Sequence, residues 1–337
     1  MVRTRSFHLA SCYVAAGIWL LPVESAFSEP VPALITQLAS SDRNVRREAA
    51  LQLGKAGPEA KQAVDALVKA LRDEDKQVWS NAVSALAVIG PDAGAAVPAL
   101  IQALDSRTGR GRDRRQMILR ASYALTRIGP AAIPALIQAL ASDDISQRIG
   151  ASKALAGMGS AAREAIPALV LNLGYDDLML RRETVETLGE IGAEALKPLV
   201  DALASDQTRI RENAVLALGR LGGAGITPPL LAMFKSERES VVRAALFTIL
   251  PSLQVEPAVS TPLLAEGIRD QNESIRRAAI NALLLMRPVQ GALLPALVAM
   301  LKEADPAVNE RAADILGRMG AAAKEAAILA AAFAPKA

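Results

Sequence analysis

Two adjacent carboxylate pairs, Asp143-Asp144 and Asp176-Asp177, have the residue type and spacing of a general acid–base pair or a cation site. A second group, Arg107, Arg110, Arg112, Arg114 and Arg115 against Asp105 and Asp113, could hold an acidic or anionic partner. Upstream of it stands Trp79, a residue type enriched at binding hot spots. The scarce residues limit this chemistry. The 337-residue chain has one cysteine, Cys12, and one histidine, His8, both inside an N-terminal segment with the features of a cleaved signal. Without that segment there is no Cys/His zinc site and no Ser-His-Asp or Cys-His nucleophile. Any catalysis must rest on carboxylates, Lys, Tyr or Ser. No catalytic residue, metal site or cofactor is assigned.

The elements that must position these residues come from a unit of about 33 residues that returns nine times between Val31 and Ala326. Each unit closes on a version of V-R-x-x-A-x-x-x-L-x-x-I-G, whose first position falls at Val45, Val78, Met117, Gln147, Leu180, Ile210, Val242, Ile275 and Val308. Small or apolar residues four on (Ala49, Ala82, Ala121) and aliphatic ones eight on (Leu53, Leu86, Leu125) make one face of a 3.6-residue helix. Twelve on, glycine stands in seven units (Gly57, Gly90, Gly129, Gly159, Gly192, Gly222, Gly320), where a left-handed residue closes a helix. The other half of the unit, V-P-A-L-I-x-x-L in its clearest copies, is a second amphipathic helix with proline near its start (Pro32, Pro98, Pro134, Pro167, Pro198, Pro228, Pro262, Pro295). No strand pattern or strand-borne phosphate loop appears. Pairs this short cannot bury their apolar faces alone, so they must stack.

These residues resemble the HEAT-repeat proteins, specifically the short subtype known from phycobilisome-linker lyases, over roughly residues 31–326. The resemblance implies an all-α, right-handed superhelix of about nine two-helix repeats, starting near residues 31, 64, 97, 133, 166, 196, 226, 259 and 294. It also implies that the second helices line a concave side that binds a partner. Units seven and eight depart most: Gln254 and Arg287 take the glycine position and Pro251 interrupts a helix, so a local change of curvature is expected near 226–294. Residues 321–333 read as a C-terminal capping helix.

Within this frame the carboxylates acquire a plainer role. Asp42, Asp75, Asp144, Asp177 and Asp305 each stand three residues before the first position of the motif, as helix N-caps do. Capping is therefore preferred to catalysis for the two acid pairs. Arginine follows the motif's first position in six units (Arg46, Arg148, Arg181, Arg211, Arg243, Arg276). Two readings stand: a positive stripe for an acidic partner, or an internal ladder bridging loop carboxylates. The ladder is preferred because acids recur in the same phase. The third unit is six residues longer than the second and carries the arginine cluster, Arg107 to Arg115. With Trp79 this makes a candidate partner-binding site, but a packing role for Trp79 and a plain solvated loop for the arginines are preferred.

Before the repeats, Arg3 and Arg5 precede an apolar run, Leu9 to Leu21, followed by Pro22 and small residues, which reads as a secretory signal over residues 1–28. Export to a periplasmic or extracellular compartment follows, with no membrane span in residues 29–337. Leu9-Ala10-Ser11-Cys12 matches a lipoprotein box but falls before the apolar run ends, so lipidation at Cys12 is not favoured. The chain has 38 basic and 35 acidic residues, and six scattered aromatics remain after residue 28, which argues against nucleic acid. The expected function is an exported, non-enzymatic, monomeric scaffold that binds another protein through its concave face and loops. The alternatives are a phycobilin lyase-like chromophore-handling protein, by resemblance, and an anion binder using residues 107–115.

Overall fold

The computed structural model describes residues 29–105, 112–302 and 306–320. The expected signal segment 1–28 with Cys12, Arg107, Arg110, Asp305 and the expected capping helix 321–333 lie outside the described residues. Arg112 and Arg114 lie on a helix, but their side chains are outside the description as well.

Eighteen α-helices and no strand are present among the described residues. Nine lie at the start of a repeat: α1 (Val31–Gln37), α3 (Val64–Ala70), α5 (Val97–Gln102), α7 (Ile133–Ala139), α9 (Ile166–Asn172), α11 (Leu196–Ala202), α13 (Thr227–Ser236), α15 (Pro257–Arg269) and α17 (Arg287–Met300). Their partners are α2 (Arg43–Ala56), α4 (Lys76–Ile89), α6 (Arg112–Ile128), α8 (Ile145–Met158), α10 (Leu178–Ile191), α12 (Thr208–Leu221), α14 (Ser240–Ile249), α16 (Glu273–Leu285) and α18 (Pro306–Met319). Each second helix packs on the second helix of the next repeat, from α2 on α4 through to α16 on α18, while the first helices form the other layer. The result is an α-solenoid.

The repeat pattern explains the packing. The residues four and eight after the motif's first position are fully buried in every unit, from Ala49 and Leu53 to Ala312 and Leu316, all at 0% exposure. Alanine at the first of these lets neighbouring helices approach closely, and leucine at the second fills the seam, each burial contributing about 2 kcal/mol. Thr184, the polar exception, donates its hydroxyl to the carbonyl of Leu180 at 2.8 Å and so leaves nothing unpaired. All seven motif glycines adopt positive φ, between 55° and 88°. Each turns the chain sharply out of its second helix, and in most repeats a short 3-10 turn carries it to the next first helix.

Units seven and eight close differently. Pro251 lies in a 3-10 turn, Leu250–Leu253, that ends α14 at Ile249, and Gln254 takes the left-handed position itself, with φ of 49°. The shortened α14 still packs on both α12 and α16. After α16, Met286 breaks the helix with φ −97° and ψ 70°, and Arg287 begins the next one. Because α15 and α17 start earlier than the other first helices, Pro262 and Pro295 lie inside them rather than in a first turn, against expectation. Two continuous helical runs, Lys76–Gln102 and Ile145–Asn172, have the length and apolarity of membrane spans. Each is turned at a positive-φ glycine, Gly90 or Gly159, and takes its apolarity from core-facing positions, so neither is a straight span.

Candidate functional site

The six motif arginines turn toward the loops of the stack. Five of them donate to the backbone carbonyl six residues earlier: Arg46 to Ser40 at 3.0 Å, Arg148 to Ser142 at 2.5 Å, Arg181 to Tyr175 at 2.8 Å, Arg211 to Ser205 at 2.9 Å and Arg276 to Asp270 at 2.9 Å. Those carbonyls lie just beyond the C-terminus of each short helix, where the chain leaves acceptors without intrahelical donors and where a cation suits the helix dipole. Three guanidinium groups also reach the following repeat: Arg46 to Asp73 at 2.7 Å, Arg211 to Glu237 at 2.8 Å and Arg243 to Asp270 at 2.7 Å. Where no acid is in place, Arg148 bonds the side-chain oxygen of Asn172 at 2.8 Å and lies 4.2 Å from the ring centre of Tyr175.

Opposite charges in these contacts shift each other. Burial pushes the Glu237 carboxyl up, but hydrogen bonds from Arg211 and from the backbone N–H groups of Glu239 and Arg238 outweigh it, leaving the pKa lowered. The Arg47 guanidinium, helped by the N–H groups of Val78 and Gln77, holds Asp75 well below the usual carboxylate range. Asp75 is thus both an N-cap and an inter-repeat ion-pair partner.

The two acid pairs do not form a paired-acid centre. Asp144 accepts from the N–H of Gln147 at 3.0 Å and Asp177 from that of Leu180 at 2.8 Å, each at the start of its own helix. Asp42 and Asp75 occupy the same place on α2 and α4. Asp143 is exposed, and Asp176 is 82% exposed and pairs with Arg209 of the next repeat. Among the described residues no group of three metal-ligating side chains converges.

Trp79 takes the packing role. It is 5% exposed and belongs to the core. Its ring therefore offers no open surface for a partner. Arg115 is exposed at the start of α6.

The open surface lies farther along the same two helices. Val83, Ser84, Ala87 and Val88 of α4 and Leu119, Arg120 and Tyr123 of α6 line a groove of about 300 Å³. Val83 and Ala87 form a buried floor at 1% and 2% exposure, while Val88, Leu119 and Tyr123 stand 48%, 47% and 61% exposed along the walls. Arg120 crosses the groove to donate to the Ser84 hydroxyl at 3.4 Å. The sequence pattern marks Val88 and Tyr123 only as outward positions of their helices. That they share one groove with Leu119 depends on how α4 packs against α6.

The comparisons with known proteins agree with this architecture. The family model for HEAT repeats matches residues 31–122, 173–250 and 261–336. No curated protein matches the chain. Among solved structures the karyopherin Kap121p is similar in fold, with a TM-score of 0.59 at 14% identity over 88% of this chain. Kap121p bound to Pho4p gives 0.58 at 14% identity, and Kap121p bound to Nup53p gives 0.59 at 14%. The chain spans 38% of the length of Kap121p, so the likeness is one of fold. Over most of its length, repeat by repeat, the chain belongs to the HEAT-repeat family.

Proposed function

We propose that this protein is an exported scaffold that binds another protein through the solvent face of its long-helix row and that it has no catalytic turnover of its own. The observation that carries the reading is the α4–α6 groove, where Val88, Leu119 and Tyr123 leave apolar surface in water beside Arg120. An aromatic ring and an arginine around an apolar floor are the residue types that dominate binding energy at protein interfaces. The motif arginines, by contrast, are engaged with backbone and loops and add little to an outer surface. Export rests on the composition of residues 1–28. The structures of Kap121p bound to Pho4p and to Nup53p support protein recognition as something this architecture does.

A photoreactive phenylalanine analogue placed at Leu119 tests the reading, with a second placed at exposed Lys69 on the short-helix layer as control. A discrete protein adduct from Leu119 and none from Lys69 is the expected result. Adducts of equal yield from both positions, or from neither, would remove the groove as the binding site.

A further inference from the structure

The charge around the groove specifies its partner, on the reading that the groove binds protein. The long helices of the first four repeats, α2, α4, α6 and α8, carry twelve basic residues and two acidic ones, Glu48 and Asp113, and of the twelve Arg46, Arg47 and Lys153 pair with Asp73, Asp75 and Glu183 of the following repeat. In the fifth repeat the balance reverses, with Glu183, Glu186 and Glu190 against Arg181 and Arg182 on α10. Most exposed arginines farther along the row have carboxylates within reach, as in Arg209 with Asp176, Arg220 with Glu190 and Arg277 with Glu273. Arg120 in the groove and Arg127, one turn beyond Tyr123 on α6, do not. Arg120 has only the Ser84 hydroxyl, and Arg127 has no acidic partner among the described residues.

The spacing adds a length. Arg120, Tyr123 and Arg127 follow one another at i, i+3 and i+7 on α6, which places one arginine a turn before Tyr123 and one a turn after it on the helix surface. At 1.5 Å per residue the two arginines are separated by about 10 Å along the helix, the length of about three residues of extended chain.

We propose that the α4–α6 groove binds an acidic peptide segment of a partner protein. One aliphatic or aromatic side chain seats against Val83, Val88, Leu119 and Tyr123, and two carboxylates about three residues apart pair with Arg120 and Arg127. The apolar contact supplies most of the affinity. The two cations set register and favour acidic over neutral sequences, because opposite charges steer encounter and like charges reject the wrong segment.

The test is selection of a phage-displayed random peptide library on the full chain, followed by titration of the enriched sequence as a fluorescein-labelled synthetic peptide. The expected consensus has an aliphatic or aromatic residue between two Asp or Glu residues two to four positions apart. Affinity should fall at least tenfold in Tyr123→Ser and in Arg120→Glu, and a peptide with lysine in place of the carboxylate that meets Arg120 should recover binding to Arg120→Glu. Both substitutions are at exposed positions, and circular dichroism verifies that each variant keeps its helix content. Enrichment of neutral or basic peptides, absence of any enrichment, or equal affinity in the variants would overturn the proposal. So would full competition by inorganic polyphosphate combined with indifference to Tyr123→Ser, which would mark a phosphate surface. A Leu119 crosslink to a partner without such an acidic segment would keep the scaffold reading and remove this one.

Discussion

Replacing Arg211 by methionine keeps the aliphatic volume of the side chain and removes its guanidinium. The group removed donates to both carboxylate oxygens of Glu237, at 2.8 and 3.3 Å, and to the carbonyls of Ser205 and Asp206, at 2.9 and 3.3 Å. Both partners are largely screened from water, Arg211 at 16% and Glu237 at 6% side-chain exposure, so solvent repairs little of the loss. Glu237 keeps the N–H groups of Arg238 and Glu239, which softens the cost of an unpaired carboxylate. Breaking a fully buried pair costs roughly 3–5 kcal/mol, and the surviving bonds and partial exposure bring the expectation here to about 2–3 kcal/mol. A stack of repeats opens locally, so the assay is native-state hydrogen exchange resolved by peptide. Exchange in α12, α14 and the loop from Glu237 to Glu239 should accelerate about 30- to 150-fold, since 1.36 kcal/mol is tenfold. Lys197→Met, which breaks a surface pair exposed at 83% and 63%, is the control and should change exchange less than about threefold. Equal small effects in the two variants would refute the view that the arginine ladder joins neighbouring repeats.

Other outcomes follow from single positions. A β-carbon at Gly219 would overlap the side chain of Ile249, a β-branched residue at 7% exposure with little room to move, so Gly219→Ala should lower stability by about 1–3 kcal/mol in urea unfolding. Gly317, also inside a helix but with nothing within 4 Å of such a carbon, should gain about 0.5–1 kcal/mol as Gly317→Ala. Gln254→Gly removes a left-handed side-chain residue and should stabilise the seventh repeat by up to about 1 kcal/mol, read as slower local exchange. The lowered carboxyl pKa values of Asp75 and Glu237 predict stability that is complete above the usual carboxylate pKa of about 4 and is lost as pH falls through their folded values. Acid titration of the thermal midpoint should therefore show a weaker decline in Glu237→Gln; an identical profile would count against the assignment.

Much of this architecture could be read from the residues in order. The 33-residue return, the alanine and leucine four and eight positions on, and the glycine twelve on are local patterns, and local backbone preference together with the burial of one helix face is enough to turn them into stacked pairs. Gly57 and Gly320 close their helices at opposite ends of the stack by the same φ because the same steric rule acts on each. Where the pattern failed, the chain still turned, at the left-handed Gln254 after the Pro251 turn and at Met286 before Arg287.

The surface was not legible in this way. Trp79, which the sequence left between packing and partner binding, is buried; Tyr123, one of several scattered aromatics, stands in a groove with Val88 and Leu119. A residue's exposure depends on the register between helices more than thirty positions apart in sequence, set by inter-repeat packing that no single repeat contains. Sequence alone determined the helices, their pairing and the line of arginines, because those follow from contacts within a unit. Tertiary structure decided which arginines meet a carboxylate of the neighbouring repeat and which, such as Arg120 and Arg127, do not, because that outcome belongs to the space between two repeats.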